Sequence, residues 1–303
     1  MPPKILGIIK LCFSPFSVFS PIPIFCLILF FISCKFTDLS LNKLFLLTLG
    51  IFVSLSSSAA SNFWNHTNDV NEDKKNNKKT LLTENIITQN EALLISILLY
   101  LFSILLVLYA SFLLKRPIYI YYLIWVFITW WYSDAKFLIR ITGIRLKTHY
   151  IGELLTYVIA YPAYTLSIWL IFSDSLSKGL VLSLIFLCFG IAGVLLKDLK
   201  DISGDRDAGL KTLGVIFSPS KLIKTACIFL ILYFVIIIIA TNSKIFDFYS
   251  FIVIIPLLYL IKNTYIPFHR KKWTLEAGDG NNIKAMVLSI YSSLIFMGIA
   301  NFI

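Results

Sequence analysis

The sequence predicts an all-α membrane protein: nine transmembrane helices around a central cavity that opens to the cytoplasmic side. Three observations carry this expectation. Hydrophobic residues make up 58% of the chain and charged residues only 14%, against about 25% charged in ordinary soluble domains. The apolar stretches are long enough for helices at roughly 20 residues per crossing, and they lack the polar–apolar alternation of a transmembrane barrel. Basic residues gather in alternate loops, which fixes an orientation.

The first span is 14–34, an apolar run too long for the core of a cleavable signal peptide. The second, 43–62, ends just before the acidic run Asn65–Asp73. The third (91–113) and fourth (117–134) are joined by the short turn Lys115-Arg116-Pro117. Trp125, Trp130, Trp131 and Tyr132 crowd the fourth span, as in an interfacial aromatic belt. The fifth, 150–172, holds Pro162, which removes a backbone donor and predicts a kink. The sixth, 178–197, runs into a second acidic cluster, and spans 222–241, 246–262 and 283–302 complete the set. Each cluster ends an even-numbered span, with four spans from one to the other. This predicts a single domain over 1–303, built of two pseudo-repeated halves (14–134 and 150–262) and a last helix, 283–302.

The N-terminus and the loops after spans two, four, six and eight hold 21 of the 27 basic residues. By the positive-inside rule those segments are cytoplasmic and the C-terminus lies opposite, in a cell membrane. The net charge of +11 reads first as topology and second as attraction for an anionic, phosphate-bearing substrate. The basic residues are dispersed among membrane loops, which argues against nucleic acid as a partner. The five cysteines form no CxxC pair and lie mostly in apolar runs, where a thiol packs as a small hydrophobe. His66, His149 and His269 are scattered, which argues against zinc.

The chemistry is concentrated in the two acidic clusters. Asn65, Asp69 and Asp73 are spaced by four; Asp198, Asp201 and Asp205 by three and then four. Either spacing lines oxygen ligands along one helix face. Carboxylates packed near a bilayer repel one another and are costly to desolvate. Mg²⁺ relieves both costs, because it prefers oxygen and commonly bridges carboxylates to substrate phosphates. Two such clusters on one membrane face suit a diphosphate, with the metals stabilising it as a leaving group. Arg145, Lys147, Lys197, Arg206 and Lys211 are candidate phosphate contacts. A site at the mouth of a bundle suits an anionic head on a long hydrocarbon tail.

These residues resemble the UbiA superfamily of intramembrane prenyltransferases. Asn65, Asp69 and Asp73 match its first motif, NxxxDxxxD, with Asn68-Asp69 as its Asn-Asp dipeptide. Asp198, Asp201 and Asp205 match its second, DxxDxxxD, within a similar run from Lys197 through Gly204-Asp205-Arg206 to Thr212-Leu213-x-Val215. Tyr132-Ser133, Arg145-Leu146-Lys147 and Gly152-Glu153 are similar to the middle loop of the family. Val70 stands where an aromatic is common, and a lysine run replaces the usual Arg-Pro pair. The resemblance implies Mg²⁺-dependent transfer of a prenyl group from a polyprenyl diphosphate to a hydrophobic acceptor in the bilayer, foremost an aromatic quinone precursor, with release of pyrophosphate. Asp69, Asp73, Asp198, Asp201 and Asp205 would hold metal. Asn65, Tyr132, Arg145, Lys147, Lys197 and Arg206 would bind substrate. Asp69, Asp201 and Glu153 would be catalytic, with Glu153 or Asp69 taking the acceptor proton. Tyr132, Tyr157 and Tyr161 would stabilise the allylic cation. The same fold also serves glycerophospholipid, carotenoid and chlorin-type acceptors and terpene cyclisation. A transporter is the alternative outside enzymes; it calls for midplane carboxylates, whereas the acids here lie in or beside loops.

Overall fold

The structure is a computed structural model. It describes residues 3–13, 22–75 and 79–303, with every side chain in them except those of Pro3, Phe13, Ile22, Pro23, Lys200, Asp201 and Ala277. Among the described residues all regular structure is helical apart from one isolated β-bridge. The helices are α1 (Pro3–Phe13), α2 (Ile22–Ser33), α3 (Leu41–Asn68), α4 (Val70–Lys75), α5 (Gln89–Leu114), α6 (Ile118–Ser133), α7 (Leu138–Thr142), α8 (Tyr150–Phe172), α9 (Leu176–Asp207), α10 (Leu213–Ile216) and α11 (Pro219–Asn242). A composite rod, Phe248–Arg270, follows, and then α14 (Gly280–Phe302). The rod strings a 3₁₀ turn, Phe248–Val253, to α12 (Ile254–Leu260), a π turn, Ile261–Tyr265, and α13 (Ile266–Arg270).

Local chemistry sets several starts. Ser40 and Ser218 each accept from the backbone N–H three residues on, and Pro219 supplies the preset φ of a first turn. Thr88 and Glu91 form a reciprocal capping box at the head of α5. The π turn has its own cause. The Pro267 ring would press on the Asn263 carbonyl in a regular helix, and the widened turn, with Ile266 N–H bonded to Ile261 O, makes room.

Among the described residues, seven helices are long and apolar enough to cross a membrane: α3, α5, α8, 176–199 of α9, α11, the rod and α14. Nine spans were expected from the sequence. The other two coincide with α6, at 16 residues, and α2, at 12. The expected first span, 14–34, begins partly outside the described residues, which resume at Ile22. The sequence also stops the eighth span at 262, whereas the rod continues to Arg270. Pro162 leaves α8 continuous.

The packing is that of a protein in lipid. On α5, Leu94, Leu98, Leu101, Leu105 and Phe112 are exposed, while Ala92, Ser96, Ser103, Ala110 and Ser111 are buried. Small residues inward let helices approach closely, and large apolar ones face outward. The chain is an integral membrane protein. Contacts run α2–α3–α5–α6–α8–α9–α11–rod–α14, and α14 returns to α2, so the order closes on itself. The aromatic crowd at the end of α6 is no simple belt. Trp130 stacks on Trp64 of α3 at 3.9 Å, Trp64 Nε1 donates to Trp130 O at 2.9 Å, and Trp125 is buried against Tyr164. Flat faces on neighbouring helices bury more apolar area together than either would at an interface.

Candidate active site

The two acidic clusters meet at one end of the bundle. A cavity of about 340 Å³ is lined by Asn65, Asp69, Glu72, Asp73, Tyr132, Lys147, Glu153, Lys197, Asp198 and Asp205. The first cluster leaves the end of α3, with Asp69 at the junction before α4. The second rides the last turns of α9.

Within the first cluster the charges neutralise each other. Arg145 pairs with Asp69 through Nη2 and with Glu72 through Nη1, the latter at 2.7 Å. Lys147 Nζ lies 2.6 Å from Asp69 Oδ1 and 2.8 Å from Glu72 Oε2. Burial alone would raise the Asp69 pKa, but Lys147 and then Arg145 outweigh it and hold the carboxyl below its ordinary value. Arg145 is itself fixed, since its Nε donates to Ser133 O at 2.9 Å. Ser133 Oγ donates to Asn65 Oδ1 at 2.7 Å, and Ala135 N–H to Asn68 Oδ1 at 3.0 Å. Ser133, the last residue of α6, thus orients Asn65 and Arg145 at the first cluster. Asp73 is buried, with His66 Nδ1 3.4 Å from its Oδ2.

The second cluster is held by the turn after α9. Gly214 N–H donates to Asp198 Oδ2 at 3.1 Å, and Thr212 Oγ1 to Asp205 Oδ2 at 2.8 Å. Gly209, at φ +75°, reverses the chain. A Cβ on Gly214 would lie 2.5 Å from Asp198 O, so only glycine fits there. The bridge between His149 and Lys211 ties this turn to the segment carrying Arg145 and Lys147, through Tyr150 N–H to Lys211 O at 2.8 Å and Lys211 N–H to Thr148 O at 2.9 Å. Gly152 packs on the same segment; its Cβ would fall 2.3 Å from Leu146 O.

Glu153 lies between the clusters and is 1% exposed. Tyr132 OH donates to its Oε1 at 3.3 Å and Lys197 Nζ lies 4.0 Å from the same oxygen, while Oε2 makes no hydrogen bond. Lys197 is enclosed by the bundle, and its 45% side-chain exposure is to the cavity it lines.

Most of the residues read from the sequence line one cavity, but three cations do not. Arg206 is exposed, since one residue beyond Asp205 turns it about 100° around α9. Lys211 is exposed on the turn after α9, and Arg145 is buried behind Asp69 and Glu72, which it pairs. Asp201 belongs to α9, but its side chain lies outside the described residues. Glu72 escaped the sequence reading, although its place three residues after Asp69 puts it on the same face. Among the described residues no three His, Cys, Asp or Glu side chains gather closely enough to hold a metal ion by themselves. The donors nevertheless suit one. They are all oxygen, they face one cavity, and Glu153 Oε2 is an orphan among them. Mg²⁺ is usually held by one or two carboxylates together with substrate phosphates, so it needs no ready-made cage.

Fold and site define a membrane-embedded helical enzyme with an acidic, cation-bridged mouth. The chain belongs to the UbiA prenyltransferase family, whose model matches residues 19–277. It is 30% identical to an uncharacterized protein of Archaeoglobus fulgidus over 301 residues, 97% of this chain and 96% of that one. Its fold is similar to that of a solved digeranylgeranylglyceryl phosphate synthase, with TM-score 0.70, 18% identity and 98% of each chain covered. It is also similar to a UbiA homolog of Archaeoglobus fulgidus solved with GPP and Mg²⁺, with TM-score 0.67 and 18% identity over 97% of this chain and 99% of that one. The homolog solved with DMAPP and Mg²⁺ matches with TM-score 0.63 and 17% identity over 94% and 97%. The chain is a membrane prenyltransferase of this family.

Proposed function

We propose that the enzyme transfers a prenyl group from a polyprenyl diphosphate to a membrane-associated acceptor, releasing pyrophosphate, with Mg²⁺ as cofactor. One observation supports this above all: carboxylates of both clusters face a single cavity whose walls continue inward as aromatic rings. Asp69, Asp73, Asp198, Asp201 and Asp205 are the proposed metal ligands, with Glu72 added by its position. Bound Mg²⁺ would neutralise phosphate oxygens and ease departure of the diphosphate. Arg145 and Lys147 lie within reach of the same space and would bind its oxygens. Tyr132 and Tyr157 would face an allylic cation with their rings while the bundle excludes water, and Tyr161, one turn deeper, would lie beside the tail. Glu153, with one oxygen unbonded, would take the proton the acceptor loses.

The acceptor reading remains an aromatic quinone precursor. The likeness of fold to digeranylgeranylglyceryl phosphate synthase favours a glycerol phosphate lipid as the second reading. We further read the bundle as nine crossings, counting α2 and α6, in two pseudo-repeated halves of one domain, with the acidic mouth and the N-terminus cytoplasmic. Clusters at the ends of α3 and α9 support the repeat, and the basic loops support the orientation. The test is pyrophosphate release by purified protein given allylic diphosphates and either acceptor class. Release should require Mg²⁺, and Asp198→Asn or Asp205→Asn should reduce it by about a hundredfold or more. Release that persists in excess chelator, or survives both substitutions, would refute the reading.

A further inference from the structure

A structural ladder leads inward from the acidic mouth. On α8, Glu153, Tyr157 and Tyr161 recur at four-residue spacing and all line the cavity. Tyr132 meets Tyr157 edge-on at 6.4 Å, and Tyr157 stacks on Tyr161 at 5.7 Å. The inner end is closed by Phe25, Trp125, Tyr164 and Thr165. These rings are locked together: Phe25 sits edge-on to Phe189 at 5.1 Å, and Trp125 lies 5.1 Å from Tyr164. Tyr164 OH and Ser54 Oγ are buried close together there, and Ser57 and Tyr122 bond each other at 2.7 Å beside them. Hydrocarbon pushed into that region would meet hydroxyls that it cannot satisfy.

The depth is short. From Glu153 to Tyr164 is about 16 Å at roughly 1.5 Å of rise per residue. An extended isoprene unit advances about 5 Å over its carbon–carbon bonds, so about three units fit before the floor. One position along the wall is tight. Gly190 of α9 backs the Tyr161 ring, and a Cβ there would lie 2.6 Å from Tyr161 Cδ2. With α9 on one side and the cavity on the other, any bulk at Gly190 drives the ring into the space a tail would occupy.

We propose that Tyr161, seated on Gly190, controls entry of the third isoprene unit of the donor tail, and that the floor one turn beyond it limits the parent protein to donors of up to about three units. The proposal rests on the prenyl-donor reading above. Tyr161 narrows the cavity one helical turn short of its floor, and Gly190 lets it lie as far back as it does.

The experiment measures transfer, and separately binding of unreactive thiolodiphosphate analogues, across the geranyl, farnesyl and geranylgeranyl series. In the parent, kcat/KM should fall beyond farnesyl. Gly190→Ala should cut kcat/KM for farnesyl diphosphate about tenfold relative to geranyl, the scale of one misplaced methylene in a pocket. Tyr161→Ala, which widens the cavity just short of the floor, should raise the farnesyl-to-geranyl ratio, and Tyr161→Phe, which keeps the ring, should retain the parental length profile. Transfer and binding with a flat profile, unmoved by either alanine variant, would overturn the proposal alone. If the folded parent neither binds nor turns over any donor, the prenyl-donor reading falls, and this proposal with it.

Discussion

Asp69 shows how a single residue is tuned by its neighbours. It sits just beyond the last turn of α3, buried, with Arg145 and Lys147 both on its carboxylate. Its depressed pKa makes the pairing a source of stability with a defined pH window. The contribution is complete above the unfolded Asp value of about 3.9 and is lost as pH falls below that through the lower folded value. The melting temperature in detergent should therefore show no loss from this group between pH 8 and 5, then an acid decline below about pH 4. Asp69→Asn should flatten that decline, because the amide has no proton to gain. Equal acid limbs in parent and variant would show that the pairing carries no such stability. Glu72 and Arg206 mark the limits of reading residues one by one. Both lie in acidic runs, but only the helix phase decides that Glu72 joins the cavity wall and Arg206 leaves it.

At the scale of elements, the site depends on two tight loops that hold each other. The turn after α9 carries Asp205, Thr212 and Gly214, and the bridge at Lys211 docks it on the Arg145–His149 segment. Gly214→Ala should push this turn off Asp198 O, misplace the Asp198 carboxylate and cost about 1–3 kcal/mol in stability. Thermal unfolding and pyrophosphate release should both fall; normal values for both would show that the turn tolerates a methyl. Much of this was legible. Spans three to seven and nine fall within a few residues of α5, α6, α8, the apolar 176–199 of α9, α11 and α14, because a long apolar run has no other way to bond its backbone in lipid. Asp198 and Asp205 of the second motif line one cavity because helical spacing is a local property. The rod was misjudged because Lys262 and Asn263 read as loop, whereas a π turn carries them inside a continuing helix. The Trp64–Trp130 stack was invisible, since no local pattern says which two helix faces will meet.

For the whole molecule, orientation is the property most open to test. The acidic mouth lies at one end of the bundle, and Lys244 lies between α11 and the rod toward the other. All five native cysteines are buried, so a membrane-impermeant thiol reagent should find little background. Lys272→Cys should be labelled from the cytoplasmic side only, and Lys244→Cys from the opposite side only. Labelling of both from one side would overturn the assigned topology. The interlocked Asp69, Glu72, Arg145 and Lys147 also bear on how such a protein is made. A nascent chain enters the bilayer before its ions and substrate arrive, and bare clustered acids would leave its last loops unable to settle. Here the chain supplies its own counter-charges from residues separated by more than seventy positions, so insertion and closure can finish on an empty enzyme. On the proposed Mg²⁺ chemistry, loading then becomes an exchange of partners late in biogenesis, and a cell short of magnesium would accumulate a folded, dormant enzyme ready for loading.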